Sequence, residues 1–306
     1  MSTQFKEVDF ASGGHTLRGR LYPAVSEKPA PCIVMAHGTS GTFVMVIDEY
    51  ADAFQAAGFN VLLYDHAGFG LSDGDADIIN PWVQGREYRD ACVFVRGMDG
   101  VHDGQVIIWG DSYAAGLVLV AGALIDNLAA VVAHIPSCGA EFIPFNDKPQ
   151  QFEKMKDIFL SGDLDTFEKD VTGPLPVVSF DQSGTPSLLQ PIQAFHWFMR
   201  FGGRFDSNWN NSVSRVIPKT EVPFSPQLSA AFIACPTLMV AGRKDEMVHC
   251  NPLVQKAVFE SIEAPKEWFD IDGGHFGCLY PGTDLFREAI AKEIEFMKQA
   301  CSSGSA

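Results

Sequence analysis

Short apolar runs that end in polar, glycine-bearing loops alternate along this chain with stretches of helical period. That alternation constrains the fold more than any other feature. "PCIVMAHG" and "NVLLYDHAG" are continuous apolar runs, as strands buried on both faces are in a parallel sheet. Between them, "IDEYADAFQAAGF" places Ile47, Tyr50, Ala51, Phe54 and Ala57 at helical spacing before Gly58 closes the segment. The rhythm repeats through "PWVQGREYRDACVFVRGM" (helix), "QVIIWG" (strand), "SYAAGLVLVAGALI" (helix) and "LAAVVAHIP" (strand). It resumes with "PTLMVAG", "NPLVQKAVFESI", "KEWFDID" and the terminal helix "LFREAIAKEIEFMKQA". The series predicts an α/β fold with a doubly wound, mostly parallel sheet. Ahead of it, "EVDFASGGHTLRGRLYPA" alternates apolar and polar residues around Gly-Gly and predicts an antiparallel pair at a sheet edge.

From about Pro136 to Phe232 the alternation stops, and the chain becomes dense in Pro, Gly and aromatic residues, as in "QPIQAFHWFMRFGGRF". Because strands follow it, this stretch reads as a helical cap, 136–232, inserted into a catalytic domain of 1–135 and 233–300. The end, 301–306 ("CSSGSA"), reads as a disordered tail.

In open α/β sheets ligands sit at the carboxyl ends of the strands, so the loops after the apolar runs are the place to look. Four carry distinctive residues: His37-Gly38-Thr39, Gly110 to Ala114 around Ser112, Gly242 to Glu246, and Asp272 to His275. A serine at a strand-to-helix elbow sits in strained backbone and needs small neighbours two positions either side; Gly110 and Ala114 satisfy that. A serine hydroxyl is a poor nucleophile near neutral pH. It needs a histidine to take its proton, and that imidazole needs a carboxylate to fix its tautomer and stabilise its charged form. Ser112, His275 and Asp245 supply the three. The oxyanion formed on attack requires two preplaced donors: the Tyr113 N–H at a helix N-terminus, and an N–H from the loop after the first buried strand, assigned to Thr39.

With "AHGTSG", "LLYDHAGFGLSDG", "WGDSYAAG", "PTLMVAGRKDEMV" and "DGGHFG" in this order, the chain resembles the α/β-hydrolase-fold serine hydrolases. The order serine, acid, histidine is the one that family uses. The Gly-x-Ser-Tyr pattern and "HTLRGRLYPA" are similar to the X-prolyl dipeptidyl peptidase and cocaine-esterase-like group. The ending "GGHFGCLYPGTDLFREAIAKEIEFM" is similar to small microbial and fungal hydrolases and acyl transferases of polyketide metabolism. One departure stands out: Ala67 occupies the position where the family's Asp-x-Arg-Gly turn carries Arg, so an anchor of that loop is missing or replaced. Epoxide hydrolases and haloalkane dehalogenases of this fold place aspartate where Ser112 stands, which disfavours those chemistries.

Several residues keep two readings. Glu246 competes with Asp245 as the acid, and either could cap the following helix. His37 reads as a loop-holding residue, and His66, His134 and His249 read as structural, although His134 ends a strand and could face the pocket. Asp111 reads as a turn residue. Phe195, Trp197, Phe198, Phe201, Phe205 and Trp209 either form the cap's own core or wall the pocket. The pocket candidates are therefore His37, His134, His196, Trp197 and Phe276.

With 38 Asp and Glu against 22 Lys and Arg, the net charge of −16 disfavours binding to a phosphate backbone. No apolar run is long enough to span a bilayer, and the start "MSTQFKEVDFASGG" lacks the features of a secretory signal, so no membrane partner and a cytoplasmic location are expected. The seven scattered cysteines show no metal-ligand spacing and read as buried thiols in a reducing compartment. No metal and no organic cofactor is implied. The expected partner is a small-molecule acyl substrate, and a homodimer stays open. The expected activity is cleavage of a carboxylic ester, thioester or lactone through an acyl-enzyme on Ser112, with acyl transfer, C–C bond hydrolysis or amide cleavage as alternatives on the same triad and a ligand receptor without turnover as a further one.

Overall fold

The computed structural model describes residues 5–303. Its elements follow the order β1 (Lys6–Ser12), β2 (His15–Tyr22), β3 (Ala30–Ala36), α1 (Ile47–Ala56), β4 (Asn60–Tyr64), β5 (Ile78–Ile79), α2 (Pro81–Arg96), β6 (Val101–Asp111), α3 (Ser112–Leu124) and β7 (Leu128–His134). After these come α4 (Lys148–Ser161), β8 (Lys169–Leu175), α5 (Ile192–Phe201), β9 (Val213–Pro218), α6 (Pro226–Ser229), β10 (Thr237–Gly242), α7 (Pro252–Ser261), β11 (Lys266–Ile271) and α8 (Asp284–Ser303).

The main sheet has eight strands in the order β1-β2-β4-β3-β6-β7-β10-β11 and is not closed. From β4 to β11 it is parallel; β1 and β2 form the antiparallel edge, with Ser12 opposite His15. Successive residues of the central strands face opposite layers. Ile33, Met35, Ile107 and Trp109 join one core with Tyr50 of α1 and Phe286 of α8; Cys32, Val34, Val106 and Ile108 join another with Tyr88 of α2, Val118 of α3 and Val258 of α7. Burial on both faces is why these strands read as unbroken apolar runs. Helix starts are fixed by local chemistry. The Asn80 side chain accepts from Trp82 N and Val83 N with Pro81 in the first turn, and Asn251 with Pro252 does the same for α7. Among the described residues no helix is long and apolar enough to cross a membrane.

The segment between β7 and β10 is not helical throughout, as the sequence suggested. It carries α4, α5 and α6, but β8 and β9 pair antiparallel, and β9 pairs parallel with β5, giving a second sheet of order β5-β9-β8. Its third strand comes from the loop after β4, a pairing more than 130 residues apart that no local pattern announces. The expected tail is also corrected. α8 continues through Cys301 and Ser302 to Ser303, and Gln105 Nε2 donates to the Cys301 carbonyl (3.1 Å). Residues 304–306 lie outside the described residues. All seven cysteines are buried, and no disulfide joins them.

Candidate active site

β6 ends at Asp111 and α3 begins at Ser112, whose φ of 54° lies in the left-handed region that non-glycine residues rarely adopt. Holding it there costs on the order of 1–3 kcal/mol and lifts the side chain out of the strand line. Gly110 makes the elbow possible: a Cβ there would lie 2.5 Å from the Ala114 carbonyl carbon and oxygen. The loop after β3 packs equally close. A Cβ on Gly38 would meet Asp111 Oδ2 at 2.9 Å and Ser112 Cβ at 3.1 Å. Thr39, next to Gly38, lines the same cavity as Ser112.

The loops after β10 and β11 supply the partners. His275 Nε2 lies 2.8 Å from Ser112 Oγ, and His275 Nδ1 lies 2.8 Å from Asp245 Oδ2. The imidazole is almost fully buried. Asp245 Oδ1 accepts the Met247 N–H (2.9 Å), which fixes the carboxylate's rotation. Glu246, the competing acid, does a different job: its Oε2 accepts the backbone N–H of His275 at 2.9 Å. Around Ser112 lies a small cavity whose lining includes Thr39, Thr42, Asp111, Trp197, Phe198 and Phe276. The Tyr113 amide sits in the first turn of α3, where N–H groups lack partners within the helix, and the Tyr113 hydroxyl donates to Gln84 Oε1 (2.6 Å).

Pocket candidates divide. Trp197 and Phe276 line the cavity with ring centroids 5.6 Å apart, and Trp197 Nε1 donates to the Leu279 carbonyl (2.9 Å). His37 also lines it, but both ring nitrogens are engaged: Nδ1 donates to the Gly38 carbonyl (2.9 Å) and Nε2 accepts the His66 N–H (3.2 Å). Burial pushes its pKa well below the usual histidine range, so it holds the loop as a neutral ring.

His134 is not a pocket residue. Its side chain faces the α8 layer, fully buried, with Nδ1 2.6 Å from Glu293 Oε1 and Nε2 3.0 Å from Cys278 Sγ. Burial alone would lower its pKa, yet Cys278 and Glu293 hold it well above the usual value. His196 is not one either. α5 turns Ala194, Trp197, Phe198 and Phe201 inward at helical spacing, which leaves His196 on the exposed face. The aromatic cluster of the insertion is split in the same way: Trp197 and Phe198 reach the cavity, Phe201 packs on Tyr280, and Phe205 is exposed.

Two further polar groups line the cavity, Asp111, which the sequence reads as a turn residue, and Thr42. Asp111 is buried on the cavity wall with Oδ1 lacking a hydrogen-bond partner, and burial pushes its pKa up to about 6. Thr42 Oγ1 is likewise buried on that wall without one. The missing arginine at Ala67 is replaced. Glu87, from α2, accepts the Ala67 N–H (3.2 Å) and bonds His66 Nδ1, while the Asp65 carboxylate accepts the N–H groups of Phe43 (2.8 Å) and Leu71 (3.1 Å). Asp245, Cys250 and His275 place potential metal ligand atoms within 4.8 Å of one another, but His275 Nδ1 is the atom hydrogen-bonded to Asp245.

A family model described as alpha/beta hydrolase fold matches residues 31–281. The chain belongs to that family. Among α/β-hydrolases it is similar to the quorum-quenching protein AidA of Acinetobacter baumannii, 26% identical over 96% of this chain and 94% of that one. It is also similar to the thiohydrolase apmlB of Arthrinium phaeospermum, 26% identical over 96% and 95%. The crystal structure of the α/β-hydrolase GrgF from Penicillium sp. superposes with a TM-score of 0.73 at 24% identity, covering 97% of this chain and 99% of that one. In sequence comparison the same Penicillium protein is called a polyketide transferase. The expected likeness to polyketide-associated hydrolases and transferases is met by these relatives.

Proposed function

We propose that this α/β-hydrolase is a serine hydrolase that cleaves a carboxylic ester, thioester or lactone through an acyl-enzyme on Ser112. The observation that carries the reading is the continuous relay from Ser112 Oγ through His275 to Asp245, with both links at 2.8 Å. His275 Nε2 takes the hydroxyl proton as Oγ attacks the carbonyl carbon, and Asp245 stabilises the imidazolium through Nδ1–H. The Tyr113 and Thr39 N–H groups hold the oxyanion. The tetrahedral intermediate collapses, His275 returns its proton to the leaving alkoxide or thiolate, and water then repeats the sequence to release the acid. A thiolate or alkoxide leaves with less assistance than an amine, so esters and thioesters suit the site better than amides.

Acyl transfer to an alcohol or thiol in place of water is the second reading. It is favoured by the 24% identity to a polyketide transferase over 96% of both chains. Product analysis with a competing alcohol separates the two. Free acid alone marks a hydrolase; a new ester that grows with alcohol concentration at constant acyl-enzyme formation marks a transferase. Full activity of Ser112→Ala on every ester and thioester would end both readings.

A further inference from the structure

Beside the nucleophile's cavity lies a second, wider cavity, a chamber that opens to solvent, and the two share Thr39 and Leu189 on their walls. Tyr113, the residue next to the nucleophile, also lines it. A substrate whose carbonyl sits over Ser112 has a way past Thr39 and Leu189 toward this second cavity. The chain is strongly acidic, yet among the described residues no carboxylate lines the chamber. Its charged side chain is Arg215, on β9 opposite Ile79 of β5.

Arg215 differs from the other arginines. Arg18, Arg89, Arg204, Arg243 and Arg287 pair with carboxylates. Arg86 and Arg96 donate to carbonyl oxygens, and Arg20 and Arg200 lie over aromatic rings. Among the described residues Arg215 has no ion pair, hydrogen bond or ring of this kind. Arg215 is solvent-exposed, so its guanidinium stands at the open rim of a cavity lined by no carboxylate among the described residues, and there it presents a fork of donors matched to carboxylate or phosphate oxygens. His249, also on this wall, is lowered below the usual histidine range by burial and by Arg215, so the arginine carries the charge. The nucleophile's cavity has the opposite bias, since Asp111 lines it.

We propose that the chamber is a substrate subsite for an anionic group and that Arg215 is its specificity-determining residue, selecting acyl substrates that carry a carboxylate or phosphate several bonds away from the reacting carbonyl. The proposal rests on the reading above that Ser112 forms an acyl-enzyme. An anionic terminus would pair with Arg215 in the chamber, whereas a neutral chain of the same length would gain nothing from the charge.

The test is a charge-matched pair of substrates with the wild type and Arg215→Gln. On the acyl arm the pair is para-nitrophenyl octanoate and mono-para-nitrophenyl suberate. On the leaving-group arm it is the octanoate esters of meta-hydroxybenzoic acid and of its methyl ester. Arg215→Gln is expected to lower kcat/KM for the anionic member of one pair by about tenfold and to leave the neutral members unchanged. Arg215→Lys should recover part of the loss. In the wild type, added salt should shrink the preference for the anionic member, a readout that does not depend on how a variant folds. The arm that responds shows whether the acyl chain or the leaving group occupies the chamber. Equal anionic-to-neutral ratios in wild type and Arg215→Gln on both arms, with no salt dependence, would overturn the subsite while leaving ester turnover intact. Absence of turnover of all four esters by the wild type would contradict the acyl-enzyme reading and the subsite with it.

Discussion

The carboxylate of Glu246 accepts the backbone N–H of His275 at 2.9 Å, while the carboxylate beside it in sequence, Asp245, takes the imidazole Nδ1 at 2.8 Å. Adjacent acids thus do separate jobs: one holds the histidine's backbone and the other its ring.

Asp245→Asn is expected to lower kcat by about 10³–10⁴-fold, because an amide at this position no longer stabilises the imidazolium and favours the wrong tautomer. Glu246→Gln keeps an acceptor for the His275 N–H and should cost about tenfold or less. Steady-state kinetics on one ester with both variants checks the division; equal losses would contradict it.

Gly110→Ala tests the elbow. The added methyl would sit 2.5 Å from the Ala114 carbonyl, so backbone must move, with an expected destabilisation of about 1–3 kcal/mol. The same movement displaces Ser112, and kcat should fall with stability. Denaturant unfolding together with turnover measures both. A variant with wild-type stability and rate would show that the elbow relaxes freely.

The buried pair of His134 and Glu293 ties β7 to α8 beneath the loop that carries His275, and Trp109 Nε1 also donates to Glu293 (3.1 Å). Glu293→Ala leaves a buried imidazolium without its partner, with an expected cost of about 3–5 kcal/mol in unfolding free energy. Glu293→Gln, which keeps acceptor and size, should cost less. Chemical denaturation of the two variants gives the comparison, and identical values would remove the charge from the explanation.

Glu87 gives the fold a pH dependence with a definite sign. Burial pushes its carboxyl up to about 8, against an unfolded value of about 4.3. The folded state therefore binds more protons at Glu87 between these values, and the contribution of Glu87 to stability falls as pH rises from about 4.5 to about 8, then levels off. His66, pushed by burial down to about 3, is neutral in the fold across that window. Its own contribution is common to the wild type and Glu87→Gln. The difference in melting temperature, wild type minus Glu87→Gln, should decline across this range, as thermal melts at several pH values would show. A flat difference would contradict the assignment.

The features legible in the sequence are those set by local pattern or by chain order. Central strands read as apolar runs because both faces are covered, and Ser112, Asp245 and His275 read as partners because each follows such a run. What escaped depends on distant pairing or on which way a side chain turns. The three-stranded sheet joins Ile78–Ile79 to strands of the insertion, so neither partner looks like a strand beside its own neighbours. His134 ends a strand as the site residues do, but the side-chain alternation of β7 turns it to the α8 layer. His196 lies among cavity-lining aromatics in sequence and on the opposite face of α5 in space. Asp111 reads as a turn residue beside Ser112 and Thr42 carries no motif; their oxygens, unpartnered among the described residues, become visible only with the cavity around them.

The central claim is that Ser112 is the nucleophile. Incubation with a fluorophosphonate, followed by peptide mass spectrometry and turnover of an ester that the untreated protein cleaves, tests it most directly. One adduct per chain on Ser112 is expected, with loss of activity in proportion to labelling and protection by excess ester substrate. Activity that persists in fully labelled protein, or an adduct confined to another residue, would contradict it.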